Sequence, residues 1–165
     1  MNITKNLKII FLYSSVFFIL SLFTAYLPMW LNKELNLDTI TIGFLLGFTG
    51  LIKIFSSFFI TKKIRNGVYL QIALKSLAIL ISLIFIFILL LDKNQYYYIL
   101  LILIFFSLLL FSPIIPISET FCLEQNDSFN NSYGKVRLAG SFAFFLGVII
   151  FGKLIDIFSI RVFPI

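Results

Sequence analysis

Two ionisable residues stand inside long apolar runs. Lys53 interrupts Leu51-Ile52-Lys53-Ile54-Phe55, and Glu119 follows the two prolines of Pro113-Ile114-Ile115-Pro116-Ile117-Ser118-Glu119. An unpaired cation at the centre of a lipid-embedded helix costs roughly 2.5–3.5 kcal/mol on insertion scales, so a charge kept there calls for a partner or a function. A carboxylate in that setting can take up and release a proton. Burying either charge alone is costly, which makes Lys53 and Glu119 candidates for a mutual pair on a substrate or proton pathway. In the competing reading neither residue has a function. Lys53 then snorkels part of the way to an interface, and Glu119 is an exposed interfacial carboxylate.

Other chemistries have little to stand on. Cys122 is the sole cysteine and there is no histidine, so one chain can build neither a disulfide framework nor a Cys/His metal site. No nucleophile stands beside a base, no glycine loop is shaped to cradle phosphates, and the loops are too short to house a soluble active site. The sequence therefore points away from an enzyme and calls for no catalytic residue, metal or cofactor. The net charge of +6 is scattered among apolar runs and makes no basic face, which points away from nucleic acid.

Positioning these residues falls to membrane helices. Apolar residues make up 61% of the chain and charged ones 12%, far from the roughly 45–50% apolar content of soluble domains. A helix needs about 20 apolar residues to cross hydrocarbon, and five stretches qualify: Ile9–Leu31, Ile40–Ile60, Val68–Leu91, Tyr97–Cys122 and Leu138–Ile160. The first is too long for the core of a signal peptide and lacks a small-x-small cleavage site, so it reads as a retained span. Short polar connections make successive helices antiparallel neighbours, in an all-α polytopic bundle forming a single transmembrane domain over 1–165. Lys5, Lys8, Lys62, Lys63, Arg65, Lys135 and Arg137 fall on one side, against Lys33, Lys93 and Arg161 on the other. The positive-inside rule then puts the amino terminus in the cytoplasm and the carboxyl terminus outside.

Within the spans, small residues and prolines are the punctuation. Gly43, Gly47 and Gly50 lie near one face of the second span, and Gly140, Ala143 and Gly147 form a similar stripe on the fifth. Such faces let another helix approach backbone to backbone. Pro113 and Pro116 each remove a backbone donor from the fourth span, a break tolerated where the freed carbonyls face a cavity or a neighbouring helix. Gly134, Lys135 and Arg137, just before the fifth span, read as a basic hinge at the cytoplasmic surface, where the cations can meet anionic headgroups or helix carboxyl ends.

Four strings carry a resemblance: Tyr26-Leu27-Pro28-Met29-Trp30-Leu31, Ile42-Gly43-Phe44-Leu45-Leu46-Gly47, Pro116-Ile117-Ser118-Glu119, and Tyr133-Gly134-Lys135-Val136-Arg137-Leu138-Ala139-Gly140-Ser141. In this order they resemble the amino-terminal half of a major facilitator superfamily transporter, in the branch of phenylpropionate permease-like and nucleoside:proton symporter-like proteins. That branch usually carries Asp where this chain has Glu119 and Arg where it has Lys53. The loop Thr61-Lys62-Lys63-Ile64-Arg65-Asn66-Gly67 keeps the superfamily's positive charge and lacks its acid.

The resemblance implies a secondary active transporter of the bacterial inner membrane, proton-coupled, for a small organic solute such as an aromatic acid or a nucleoside. It covers five spans of a twelve-span architecture, so the chain reads as an amino-terminal fragment. Both small-residue faces are then expected to lie open, ready for a separately encoded carboxyl-terminal half or a second copy within the lipid bilayer. The rival reading is a non-transporting membrane protein, either a structural subunit or the inactive product of an interrupted gene.

Overall fold

The computed structural model describes residues 3–63, 67–91, 95–124 and 133–160; within its helices the side chains of 3–6, 53, 56, 57, 59–63 and 67 lie outside that description. Lys53 is thus placed by its backbone alone, and the loop cations Lys62, Lys63, Arg65, Lys93 and Arg161 fall outside the described residues or side chains.

Seven helices follow one another among the described residues: α1 (Ile3–Ala25), α2 (Leu27–Leu35), α3 (Thr39–Lys63), α4 (Gly67–Leu90), α5 (Tyr97–Phe111), α6 (Ile114–Glu124) and α7 (Tyr133–Phe158). Among the described residues four runs are long and apolar enough to cross a membrane: Leu7–Leu35, Val68–Leu90, Tyr97–Glu124 and Tyr133–Phe158. Thr39–Ile52, within α3, is a shorter apolar helix. The expected all-helical bundle is present, with three shifts of boundary. The first span runs on to Leu35 in two pieces, the fourth is broken at Ser112-Pro113, and the fifth begins at Tyr133 and not at Leu138.

Both breaks are kinks with a proline cause. Pro28 sits in the first turn of α2, where a missing N–H is tolerated, yet it deprives the Thr24 carbonyl of its usual donor. The ladder resumes at once, with Trp30 N–H donating to Tyr26 O at 2.9 Å. In the fourth span Pro113 and Pro116 cannot donate to the carbonyls of Leu109 and Ser112. Ser112 N–H still reaches Leu108 O at 3.0 Å, and Ile117 N–H reaches Pro113 O at 3.0 Å.

Packing follows from one buried stripe per helix. On α4 the buried residues Leu70, Leu74, Ile81 and Ile88 recur at helical spacing and meet Leu100, Ile104, Phe111, Ile114, Ile117 and Phe121 of α5 and α6. Most of the rest of α4 is exposed and apolar, including Ile79, Leu83, Ile86, Phe87 and Leu90. In water that surface would drive aggregation; in a bilayer it is solvated by lipid tails. Phe23 joins the layers, stacking on Phe111 at 4.5 Å and meeting the edge of Phe85 at 5.4 Å.

The tightest seam joins α1 to α7, and it overturns one expectation. The stripe of Gly140, Ala143 and Gly147 does not lie open. Gly140 and Gly147 are buried and Ala143 is half-buried, and α7 is seated by that stripe against Tyr13, Phe17, Phe18 and Ser21 of α1. Further along, Tyr26 donates its hydroxyl to Val148 O at 2.6 Å and occupies the room that Gly152 leaves. Phe18 and Phe151 close the seam at 4.9 Å. A glycine stripe says only that a neighbour comes close, and here the neighbour is inside the chain.

The turn from α2 to α3 is held outside the apolar runs. Asn36 takes the left-handed conformation that ends α2 (φ 52°), and Leu37 N–H returns to Leu31 O at 3.3 Å, a closure of the Schellman type. Asn32 Nδ2 then donates to Leu37 O at 2.9 Å. Asp38 caps α3, accepting from Thr41 N–H at 3.4 Å and from the Thr41 hydroxyl.

The Thr41 hydroxyl, aided by backbone N–H groups, holds the Asp38 carboxyl below its ordinary value. A depressed folded-state pKa stabilises above the unfolded value of about 3.9 and stops doing so as pH falls through the folded value. Asp38→Ala is therefore expected to lower the unfolding midpoint at pH 7 and to make no difference near pH 2. Asp38→Asn, which cannot ionise either, should lose the same pH dependence as Asp38→Ala. Unfolding midpoints followed by circular dichroism in detergent check this.

Candidate functional site

The two kinked spans meet the same cavity. A space of about 280 Å³ lies between α1, α3 and the α5/α6 break, bordered by Thr24, Thr49, Gly50 and Ser112 on its polar side and by Phe23 and Phe111 on its apolar side. Thr24 and Ser112 are the residues whose carbonyls Pro28 and Pro116 leave without a helical donor. Ser112 falls near the middle of the run Tyr97–Glu124, so the cavity sits deep in the membrane-spanning part of the bundle.

The hydroxyls here have a common arrangement. Thr24 Oγ1 donates to Leu20 O at 2.8 Å, Thr49 Oγ1 to Leu46 O at 2.8 Å, and Ser112 Oγ crosses to Thr49 O of the neighbouring helix at 3.3 Å. Each proton is taken up by backbone, so what the oxygens offer inward is acceptor lone pairs. The wall thus combines stacked aromatic rings with a few hydrogen-bond acceptors, a composition suited to a ring-bearing solute with a polar end.

A second hollow, of about 270 Å³ between α1, α4 and α6, lacks this character. Its serines bond within their own helices, Ser15 to Leu12 O at 2.8 Å and Ser82 to Ala78 O at 2.9 Å, and apolar side chains dominate the rest. Exposed Lys75 sits on its edge, on the helix that presents most apolar surface outward.

The residues singled out by sequence are spread over three places. Gly43, Gly47 and Gly50 lie along α3, Gly43 and Gly47 beside exposed neighbours, and a Cβ added at any of the three would meet nothing within 4 Å among the described residues. Gly43 and Gly47 line a shallow groove with Ile40, Phe44, Phe48 and Leu51. Glu119 is half-buried on α6 and is not among the residues that border the 280 Å³ cavity, although Ile115, one turn before it, is. α3 and α6 are neighbours, as a Lys53–Glu119 pair requires, but the Lys53 side chain lies outside the described residues.

Gly134, Lys135 and Arg137 form the exposed first turn of α7. Gly134 has no left-handed φ, so in this conformation the string is helix and not a bend. Tyr13 of α1 meets the place where α6 ends and α7 begins. Tyr13 is buried there with Cys122 and Val136.

Sequence reasoning passed over Thr24, Thr49, Ser112 and Tyr13. For Thr24 and Ser112 a signal existed: each stands four residues before a proline, so each carries a carbonyl that the proline cannot serve.

Comparison with known proteins finds both a family and a relative. The family described as MFS_1 like family matches over residues 5–165. The "Probable 3-phenylpropionic acid transporter" of Escherichia coli (strain K12) is 33% identical over 150 residues, which cover 91% of this chain and 38% of that protein. The chain thus spans less than two fifths of the relative's length. No solved structure matches the chain at a significant level.

Proposed function

The chain belongs to the MFS_1 like family, and from that premise we propose that it forms the amino-terminal wall of a proton-coupled permease for a small organic solute, an aromatic acid of the phenylpropionate kind. The observation that carries the reading is the convergence of two proline-kinked spans on one mid-membrane cavity. Transporters of this architecture bind solute near the midplane, where discontinuous helices expose backbone and dipole ends to it. Here the Phe23–Phe111 stack would take the ring of the solute, and the hydroxyls of Thr24, Thr49 and Ser112 would donate to its carboxylate by turning from the carbonyls they bond in this packing.

In this reading the cavity is half of a site. Alternating access in the architecture comes from rocking one helical half against another around the solute. The open face of Gly43, Gly47 and Gly50 supports docking of a second half there, since it offers close backbone approach with none of the described residues against it. Glu119 is the proton-bearing group, with Lys53 as its neighbour on α3. Lys135 and Arg137 guide the motion of α7 at the cytoplasmic surface.

Uptake into vesicles tests this. The chain co-reconstituted with the carboxyl-terminal part of the Escherichia coli relative is expected to take up 3-phenylpropionate saturably when the outside is acidic. The 165 residues alone should show no uptake above that of empty vesicles. Saturable uptake by these residues alone would overturn the half-site reading.

The orientation we propose is amino terminus in the cytoplasm, on the count of loop cations. Single cysteines introduced into a Cys122→Ala chain check it, because Asn36 and Lys135 are both exposed and lie at opposite ends of the bundle. A membrane-impermeant maleimide added to intact cells should label the residue-36 variant and spare the residue-135 variant; the reverse pattern inverts the topology.

A further inference from the structure

Tyr13 is 1% exposed, and its hydroxyl has no hydrogen-bond partner among the described residues. Packing does not call for that oxygen. The ring stacks on Phe17 with centroids 4.6 Å apart, and its Cε1 and Cδ1 atoms stand 2.6 and 2.8 Å from where a Cβ on Gly140 would be. A phenylalanine would keep all of these contacts. Burying a hydroxyl without a partner is unfavourable, so this arrangement of the helices carries a penalty that another arrangement could relieve.

Tyr13 packs with Cys122 of α6 and Val136 of α7; Glu119 stands one helical turn before Cys122, and Tyr133 and Arg137 flank Val136 in the first turns of α7. Arg137 is exposed and can only donate, and a thiol is a weak acceptor. Tyr133 is half-buried, and its phenol is a neutral acceptor. The Glu119 carboxylate is the strong acceptor of the set, one turn from Cys122 on a helix that packs against α1. We infer that Tyr13 is a positioning residue whose hydroxyl donates to the Glu119 carboxylate in a second packing of α1 against α6. The bond is absent in the packing seen here and forms when the end of α6 loosens, so that the two residues hold the bundle between two states.

The function of such a switch in transport rests on Glu119 being the proton-bearing group. The pairing itself does not, and its test needs no transport. The full 165-residue chain in lipid nanodiscs is compared with Tyr13→Phe, Glu119→Leu and the double variant by hydrogen–deuterium exchange of residues 117–124. Tyr13→Phe removes what draws the helix end out of the present packing. Exchange there should slow about tenfold, the worth of a hydrogen bond to a charged group, with no fall in thermal midpoint. Glu119→Leu should slow it to a similar extent, and the double variant no further.

A hydroxyl with only a local structural role would leave the two substitutions additive. Additive slowing overturns the proposal. So does unchanged exchange, and so does faster exchange with a lowered midpoint in Tyr13→Phe, which would mean that the hydroxyl is already bonded in the resting packing. Failure of proton-driven uptake with the exchange pattern intact would instead count against the transport reading and leave the pairing standing.

Discussion

Gly147→Ala is expected to cost the bundle about 2 kcal/mol, the scale of one methyl group forced into a filled seam. The added Cβ would fall on Ser21 Oγ, which donates to Phe18 O at 2.6 Å, and would stand 3.0 Å from the Phe18 carbonyl and 3.1 Å from Ser21 Cβ. The hydroxyl can rotate away at the loss of its hydrogen bond. The backbone oxygen can move only if α7 withdraws from α1. Ser21→Ala in the same chain should therefore recover part of the loss and not all of it.

Gly43→Ala is the control. Its Cβ meets none of the described residues, and alanine is a better helix former than glycine by roughly 0.8–1.0 kcal/mol in an exposed helix interior. Unfolding in mixed micelles should show Gly147→Ala well below wild type and Gly43→Ala level with it or above. Equal losses at the two sites would mean that the α1–α7 seam is not what holds the fifth span.

The contrast between these glycines marks how far the sequence could be read. Length and hydropathy suffice for the helices, because any stretch that must sit in hydrocarbon has to satisfy its own backbone. The break in the fourth span was equally legible, since proline cannot donate whatever surrounds it. What packs on what was not. In a soluble helix the polar face identifies its opposite as buried, but here the lipid-facing and core-facing sides are both apolar, and that signal is lost.

The consequence shows in particular pairs. Gly43-x-x-x-Gly47 and Gly140 with Gly147 read alike, yet the first pair faces outward and the second is pressed on α1. Ser15 and Ser112 are both serines in apolar runs, yet one closes on its own helix and the other reaches across to Thr49. Tyr13 looked like one more aromatic in a run of them, and its burial depends on where Gly140 arrives from another helix.

The other large effect is expected at Glu119. As a proton relay inside a membrane protein, a carboxylate is charged in one step and neutral in another, and the solute moves with the proton. Glu119→Gln fixes the neutral form while keeping size and hydrogen-bonding oxygen. In the two-part reconstitution it should lower pH-gradient-driven uptake by about 10²-fold or more, the scale of losing a positioned proton-transfer group. Exchange of labelled for unlabelled solute across vesicles without a gradient needs no net proton movement, and should stay within a few-fold of wild type. The half-buried position of Glu119 favours this separation, since it is outside the residues bordering the cavity that would hold the solute. A loss of driven uptake and exchange together would move Glu119 from the proton path to the solute path. Driven uptake that survives the substitution would remove it from both, and would leave the carboxylate as the interfacial charge that the plainer reading of the sequence made it.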